Sequence, residues 1–314
     1  MAADLRVTLG RLKLPNPILV AAGTFGYGLE FRRAVRIDRL GGIVTKTITL
    51  KPRQGNPPPR LVETPSGMLN AVGLQNIGLE AFLNEKLPEL ATVQTPVIVS
   101  VLGESVQEVE ALCSRLEAER AVAAIELNLS CPNLTAHAEG GGRKAELQDP
   151  PLRTPMMVAQ DADATFEMVQ AARSRTTKPL IAKLSPDVTD LRPIAQAAER
   201  AGADVLAVSN TFTGMSLNPD TRHSRLGSLT GGLSGPAVRP LALYRVWCAC
   251  QAVRCPVIGI GGIVRAEDAL EFFIAGSTAV AVGTANFADP AAAVKILRGL
   301  RRYLERHRIG SIRE

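Results

Sequence analysis

Eight short apolar runs recur along this chain, at residues 18–22, 43–46, 97–101, 124–129, 180–184, 205–209, 257–260 and 279–282. Between several of them lie stretches with apolar residues three to four apart, at 104–118, 162–173, 191–201, 237–252 and 266–275. A continuous apolar run of this length fits a strand buried on both faces, and the three-to-four spacing is one face of a helix. Strand–helix units repeated eight times predict an α/β fold, a TIM (β/α)8 barrel of parallel strands closed on itself. A doubly wound open sheet is the competitor; eight units and the late glycine pairs favour the barrel. Residues 5–14 alternate around Gly10, which predicts an N-terminal β-hairpin ahead of the barrel. Residues 1–314 read as a single domain, because α/β barrels of this size run as one.

In such barrels the site lies where the strands end. Those ends hold Thr24, Lys46, Thr47, Ser100, Asn128, Cys131, Lys183, Ser209, Asn210, Thr211, Gly261, Gly262, Gly283 and Thr284. Hydroxyls, amides, two lysines and a thiol are present, while carboxylates and histidines are missing from that set. Chemistry by paired carboxylates or by a Ser-His-Asp set is thereby disfavoured. Cys131 stands out. The apolar run 124–129 breaks off at Ser130-Cys131-Pro132-Asn133, a polar turn on which a thiol can act as a nucleophile or a near-neutral base. Three connections are long, at 49–76, 132–160 and 213–235, and all fall on the Cys131 side of the barrel. Loops of that length in a compact domain usually cover or build a site. The one at 132–160, with Gly140-Gly141-Gly142 inside it, reads equally as a catalytic lid and as an unstructured insertion.

The seventh and eighth strands end in Gly261-Gly262 and Gly283-Thr284. Glycine lets backbone N–H groups approach an anion, and barrel phosphate sites form in these last two loops. Without an acid–base pair or a metal site, an organic redox cofactor becomes attractive. Flavin mononucleotide (FMN) fits, with its phosphate at strands seven and eight and its ring across the barrel mouth. Lys183 could then set a positive charge at the ring edge; it could equally be a salt-bridged barrel lysine or a Schiff-base former.

Composition closes off other classes. Aromatic residues are 4% of the chain with one Trp, which disfavours a base-stacking nucleic-acid surface. The net charge of +6 lies largely in Arg298, Arg301, Arg302, Arg306 and Arg308, which read as one solvated helix face. Five cysteines do not make a disulfide framework, and Cys248, Cys250 and Cys255 lack the spacing of a metal or cluster site. No stretch resembles a signal peptide or approaches the roughly 20 apolar residues of a membrane span, so a soluble cytoplasmic protein is expected.

Several ordered blocks of this sequence resemble the class 1 dihydroorotate dehydrogenases, soluble enzymes of pyrimidine synthesis. They include Thr45-Lys46-Thr47, Asn70-Ala71-Val72-Gly73-Leu74-Gln75-Asn76, Asn128-Leu129-Ser130-Cys131-Pro132-Asn133, Ala182-Lys183-Leu184-Ser185-Pro186, Gly231-Gly232-Leu233-Ser234-Gly235-Pro236 and Val282-Gly283-Thr284-Ala285-Asn286-Phe287. The Gly-Leu-Gln-Asn and Gly-Thr-Ala-Asn-Phe forms resemble subclass 1B, the NAD-linked type. The resemblance implies an FMN barrel that oxidises (S)-dihydroorotate to orotate, with Cys131 removing the C5 proton and the flavin accepting the C6 hydride. It implies substrate contacts from Lys46, Asn70, Ala71, Val72, Gly73, Leu74, Asn128, Asn133, Asn210 and Thr211. For FMN it implies Thr24, Lys46, Thr47, Ser100, Asn128, Lys183, Ser209, Gly235, Gly261, Gly262, Gly283 and Thr284. It further implies a homodimer core and, in subclass 1B, a heterotetramer with a partner subunit carrying FAD and a 2Fe–2S cluster.

Two departures from the family pattern stand out. Ser100 replaces an asparagine that usually faces the flavin, and Val158-Ala159-Gln160-Asp161 replaces the usual Phe-Gly near the end of a longer loop. The changed loop keeps a related FMN oxidoreductase of dihydropyrimidines in view. The basic charge keeps a barrel similar to dihydrouridine synthases in view, with salt-sensitive tRNA binding as its mark.

Overall fold

The structure, a computed structural model, describes residues 3–129 and 157–314. The chain first forms a hairpin, β1 (Val7–Leu9) and β2 (Leu12–Leu14), paired antiparallel with Val7 opposite Leu14. Strands β3 (Ile18–Val20) and β4 (Gly42–Val44) begin the barrel. β5 (Leu61–Thr64) and β6 (Gly67–Asn70) lie outside it. β7 (Val97–Val101), β8 (Ala124–Asn128), β9 (Leu180–Leu184) and β10 (Val205–Val208) continue it. β11 (Phe212–Gly214), β12 (Leu217–Asn218), β13 (His223–Ser224) and β14 (Gly231–Ser234) leave it again. β15 (Val257–Ile260) and β16 (Ala279–Val282) complete it, and β16 pairs in parallel with β3 to close the ring. The eight expected strands are thus the eight strands of a closed parallel barrel.

Helices Val106–Glu117, Ala162–Arg175, Arg192–Arg200, Arg239–Ala252, Ala266–Ile274 and Ala292–His307 surround it. Their starts follow local chemistry. Ser105 Oγ accepts the Glu108 N–H at 3.2 Å, and Asp161 Oδ1 accepts that of Ala164 at 2.8 Å, each satisfying an amide that the first turn leaves unpaired. In the last helix Ile296, Leu297, Leu300 and Leu304 face the core, while Arg298, Arg301, Arg302 and Arg306 face solvent. Among the described residues no helix is long and apolar enough to cross a membrane.

Side chains alternate along a strand, so each barrel strand sends every second residue inward. Leu19, Val44, Ile98, Ala124, Ile181, Val205, Ile258 and Ala279 form one buried interior cluster with Val7, Leu9, Leu12 and Leu14 of the hairpin. The hairpin therefore stops the lower end of the barrel. Two of the long connections form a roof at the other end. β5 and β6, from the first, and β11 and β14, from the third, make a four-stranded antiparallel sheet in the order β11-β14-β6-β5. Both connections, expected from their length to be loops, thus contribute strands. β5 and β6 pair with each other as a local hairpin, but β6 and β14 are remote in sequence, with Gly232 opposite Asn70, so no local pattern announces the four-stranded sheet. Most of the connection at 132–160, with Cys131 and Asn133, lies outside the described residues.

Candidate active site

The upper strand ends and the roof enclose a cavity with about 1270 Å3 of empty space, solvent at its mouth included. Thr24, Lys46, Thr47, Asn128, Lys183 and Ser209 line it from the barrel. Asn70, Val72, Gly73 and Leu74 line it from the first long connection, and Asn210 and Thr211 from the segment after β10. Gly235, Gly261, Gly262, Gly283 and Thr284 line its far end. Two expected residues sit behind the wall instead. Ser100 is fully buried with its Oγ 2.9 Å from Thr47 Oγ1, and Ala71 is fully buried in the roof. Thr47 stands between Ser100 and the cavity as its hydrogen-bonded neighbour.

The polar groups on the barrel side form a chain of hydrogen bonds. Asn128 Nδ2 donates to Thr47 Oγ1 at 3.4 Å, and Asn210 Nδ2 donates to Asn128 Oδ1 at 3.3 Å. Asn210 Oδ1 in turn accepts the Thr211 N–H at 2.9 Å. Across the cavity Asn70 Nδ2 donates to the Gly232 carbonyl at 3.0 Å, tying the roof strands together. Each amide is thus oriented by protein, while amide groups as a class offer two donor hydrogens and an acceptor oxygen. Such groups suit a heterocycle edge of alternating N–H and C=O.

Lys46 brings positive charge to this end. Burial holds its pKa below the ordinary lysine value, the Arg60 guanidinium lowers it further, and Glu30 opposes the shift. An anionic ligand beside Lys46 would oppose both depressing effects by favouring the ammonium form. Lys183 is buried with its Nζ 4.0 Å from Glu126 Oε1, and Glu126 is itself 2% exposed. The sequence reading found no carboxylate at the strand ends and missed Glu126. It lies two residues before Asn128 on the inward side of β8, inside an otherwise apolar run. It gives Lys183 an ion-pair partner at a depth where an unpaired charge is costly.

The far end is built from backbone. Among the described residues the N–H groups of Gly261, Gly262, Gly283 and Thr284 donate to no protein acceptor. The Thr284 hydroxyl donates to Ser234 Oγ at 2.8 Å and brings the roof against this loop pair. Unpaired amides of residues that line a cavity can form a cradle for an oxyanion, and the residues present therefore fit the phosphate of a bound nucleotide such as FMN. Ser234 was not anticipated, although its position next to Gly235 carried the signal. Met68, Leu233, Val264 and Phe287 also line the cavity and give it an apolar wall that single-residue reasoning did not find.

No described cysteine lines the cavity. Cys113, Cys250 and Cys255 are free thiols whose pKa values burial pushes up to about 12, 11 and 12, far from a reactive thiolate. The described residues flanking the Cys131 segment do reach the site: the Leu129 N–H donates to the Lys183 carbonyl at 3.2 Å, and the Ala159 N–H donates to the Leu129 carbonyl at 3.1 Å. Among the described residues no group of His, Cys, Asp and Glu is arranged to hold a metal ion.

A sequence model of the family described as dihydroorotate dehydrogenase matches residues 4–304. A protein of Geotalea uraniireducens named dihydroorotate dehydrogenase B (NAD(+)), catalytic subunit, is 48% identical over 311 residues, covering 99% of this chain and 96% of its own. Proteins of the same name from Trichlorobacter lovleyi and Thermodesulfovibrio yellowstonii are 49% and 48% identical, each covering 99% of this chain and 97% of their own. The crystal structure of a dihydroorotate dehydrogenase from Eimeria tenella in complex with ferulenol superposes with a TM-score of 0.76 over 99% of this chain and 87% of that one; at 23% identity it speaks to the fold. With a family match spanning nearly the whole barrel, the chain belongs to the dihydroorotate dehydrogenase family.

Proposed function

We propose that this chain is the catalytic subunit of an NAD-linked dihydroorotate dehydrogenase, oxidising (S)-dihydroorotate to orotate in pyrimidine synthesis. The observation that carries the reading is the two-ended cavity. An amide cradle suited to phosphate lies at one end, and Lys46 lies with Asn70, Asn128 and Asn210 at the other. FMN would be held by Gly261, Gly262, Gly283 and Thr284 at its phosphate, with Lys183 among the groups at its ring. When bound it supplies the acceptor for the C6 hydride of the substrate.

The chain's own residues do the rest. Lys46 pairs with the substrate carboxylate, which favours its ammonium form. Asn70, Asn128, Asn133 and Asn210 hold the ring edge, where their amides match its donors and acceptors. Cys131, as thiolate, takes the C5 proton, and the C5=C6 double bond of orotate forms as the hydride leaves. A thiol with a reference pKa of ~8.5 is a few per cent thiolate near neutral pH, so a neighbouring cation raises the reactive fraction. Nothing in the described residues could hold an iron–sulfur cluster. Electrons would pass to NAD+ through a partner subunit carrying FAD and a 2Fe–2S cluster, assembled on a dimer of this chain in the cytoplasm.

The reading predicts a purified chain that carries FMN and bleaches anaerobically with dihydroorotate. NAD+ should reoxidise it only with the partner present. Bleaching by dihydrouracil in preference to dihydroorotate would move the assignment to another dihydropyrimidine. A chain that cannot be loaded with FMN would overturn it.

A further inference from the structure

One carboxylate near the cavity has no part in the reading above. Asp268 lies in the first turn of helix Ala266–Ile274 and has no exposed surface. Its Oδ2 accepts the N–H groups of Val264 at 2.9 Å and Arg265 at 3.0 Å. Its Oδ1 accepts from Arg239 Nη1, at the start of helix Arg239–Ala252. One buried carboxylate therefore joins three elements: the loop after β15, the helix that follows it, and the neighbouring helix.

That loop is the one that carries Gly261 and Gly262. Gly262 has φ +70°, and a Cβ there would stand 2.7 Å from Arg239 Cβ and 2.9 Å from its Cα and N. Gly261 has φ +139°, and a Cβ there would stand 2.5 Å from Ala242 Cβ. The loop thus packs backbone against the same helix start that Arg239 ties to Asp268. On one side of the loop the amides of Val264 and Arg265 are spent on Asp268. On the other, Gly261 and Gly262 line the cavity, and their amides have no acceptor among the described residues. A helix cap would need only the two amide bonds. The guanidinium clamp fixes the loop against a second helix and so fixes the direction of the free amides.

We propose that Asp268 is a positioning residue for phosphate recognition: it acts through the loop of residues 261–265 and sets the aim of the Gly261 and Gly262 amides. The proposal rests on the FMN reading. Its consequence is selective, because only the phosphate end of a flavin should feel it. Asp268→Asn keeps the shape but cannot accept from two amides and a guanidinium together.

The test measures dissociation constants of FMN and of riboflavin, which lacks the phosphate, for the apo forms of the unmodified and D268N chains. Thermal melting of each apo chain reports folding independently. D268N should weaken FMN about ten- to hundredfold, the range of a hydrogen bond with a charged partner, and leave riboflavin within about twofold. Equal weakening of both flavins, or no weakening of FMN, would overturn the proposal. If D268N does not fold, Arg239→Gln carries the test, since it removes the clamp and keeps the two amide bonds. It should weaken FMN severalfold and spare riboflavin; equal effects on both would again overturn the proposal. An unmodified chain that binds neither flavin would instead defeat the FMN reading itself.

Discussion

The two ends of the same eight strands are built on opposite principles. At the lower end the inward residues are apolar, and Leu9 and Leu12 of the hairpin complete a buried cluster with Ile98, Ile181 and Ile258. One or two inward steps up the same strands, the residues become Ser100, Glu126, Asn128, Lys183 and Ser209. All five are buried, yet none is apolar. A barrel that ended apolar at both ends would be more easily packed, since each buried polar group costs free energy unless it finds a partner. The upper end carries that cost as a hydrogen-bonded chain from Ser100 through Thr47 and Asn128 to Asn210, and as the Glu126–Lys183 pair. Stability and chemistry are thereby separated along one strand direction.

Substitutions should respect that separation, and their effects can be ranked. The largest is expected at Cys131. Its replacement by serine should slow flavin reduction at neutral pH by about 10²- to 10⁴-fold, the usual contribution of a positioned base, and leave orotate binding within a few-fold. Stopped-flow bleaching checks this, and unchanged reduction would remove Cys131 from the base role. Next is Leu9→Ala at the plugged end, where Leu9 has no exposed surface. It should cost about 2–5 kcal/mol of stability, read by denaturant unfolding, with the reduction rate of the folded fraction unchanged. A loss of rate without a loss of stability would break the division between the two ends.

Lys46 comes third. Its folded-state pKa is lowered by burial and by Arg60 from the ordinary value of 10.5. In the free protein the amine therefore loses its proton as pH rises, before an exposed lysine would. Orotate affinity should fall through that alkaline window, because the carboxylate loses its cationic partner. Lys46→Met should bind orotate about tenfold or more weakly near neutral pH, the value of a charge-assisted hydrogen bond, and its affinity should be flat across the same window. Isothermal titration at several pH values measures both, and an alkaline slope that persists in K46M would assign it elsewhere. The smallest effect is expected for Thr47→Val. It removes the hydroxyl that accepts from Asn128 and leaves the charge pattern intact. KM for dihydroorotate should rise a few-fold, consistent with about 1 kcal/mol for a neutral hydrogen bond, with kcat nearly constant.

The same contrast explains what could be read from the chain. Barrel strands such as Val97–Val101 and Leu180–Leu184 are buried on both faces and apolar at all but one position, so their pattern is strong and local. The roof strands are not. Leu61–Thr64 alternates between exposed and half-buried and pairs only with its hairpin neighbour Gly67–Asn70, while Gly231–Ser234 begins with two glycines and joins that hairpin from far away in sequence. In the site, residues at strand ends were legible because topology alone puts them there. Glu126 was not, since one carboxylate within an apolar run gives no sign of which way it faces. Ser100 was assigned to the flavin by resemblance, and its hydrogen bond to Thr47 keeps it behind the cavity wall.

The most direct measurement of the central claim is product stoichiometry in an anaerobic single turnover. FMN-loaded chain is mixed with (S)-dihydroorotate, the flavin absorbance is followed, and the quenched mixture is analysed for orotate. The account predicts one orotate formed for each FMN bleached. Bleaching without orotate, or orotate formed with the flavin still oxidised under strict exclusion of other acceptors, would contradict it.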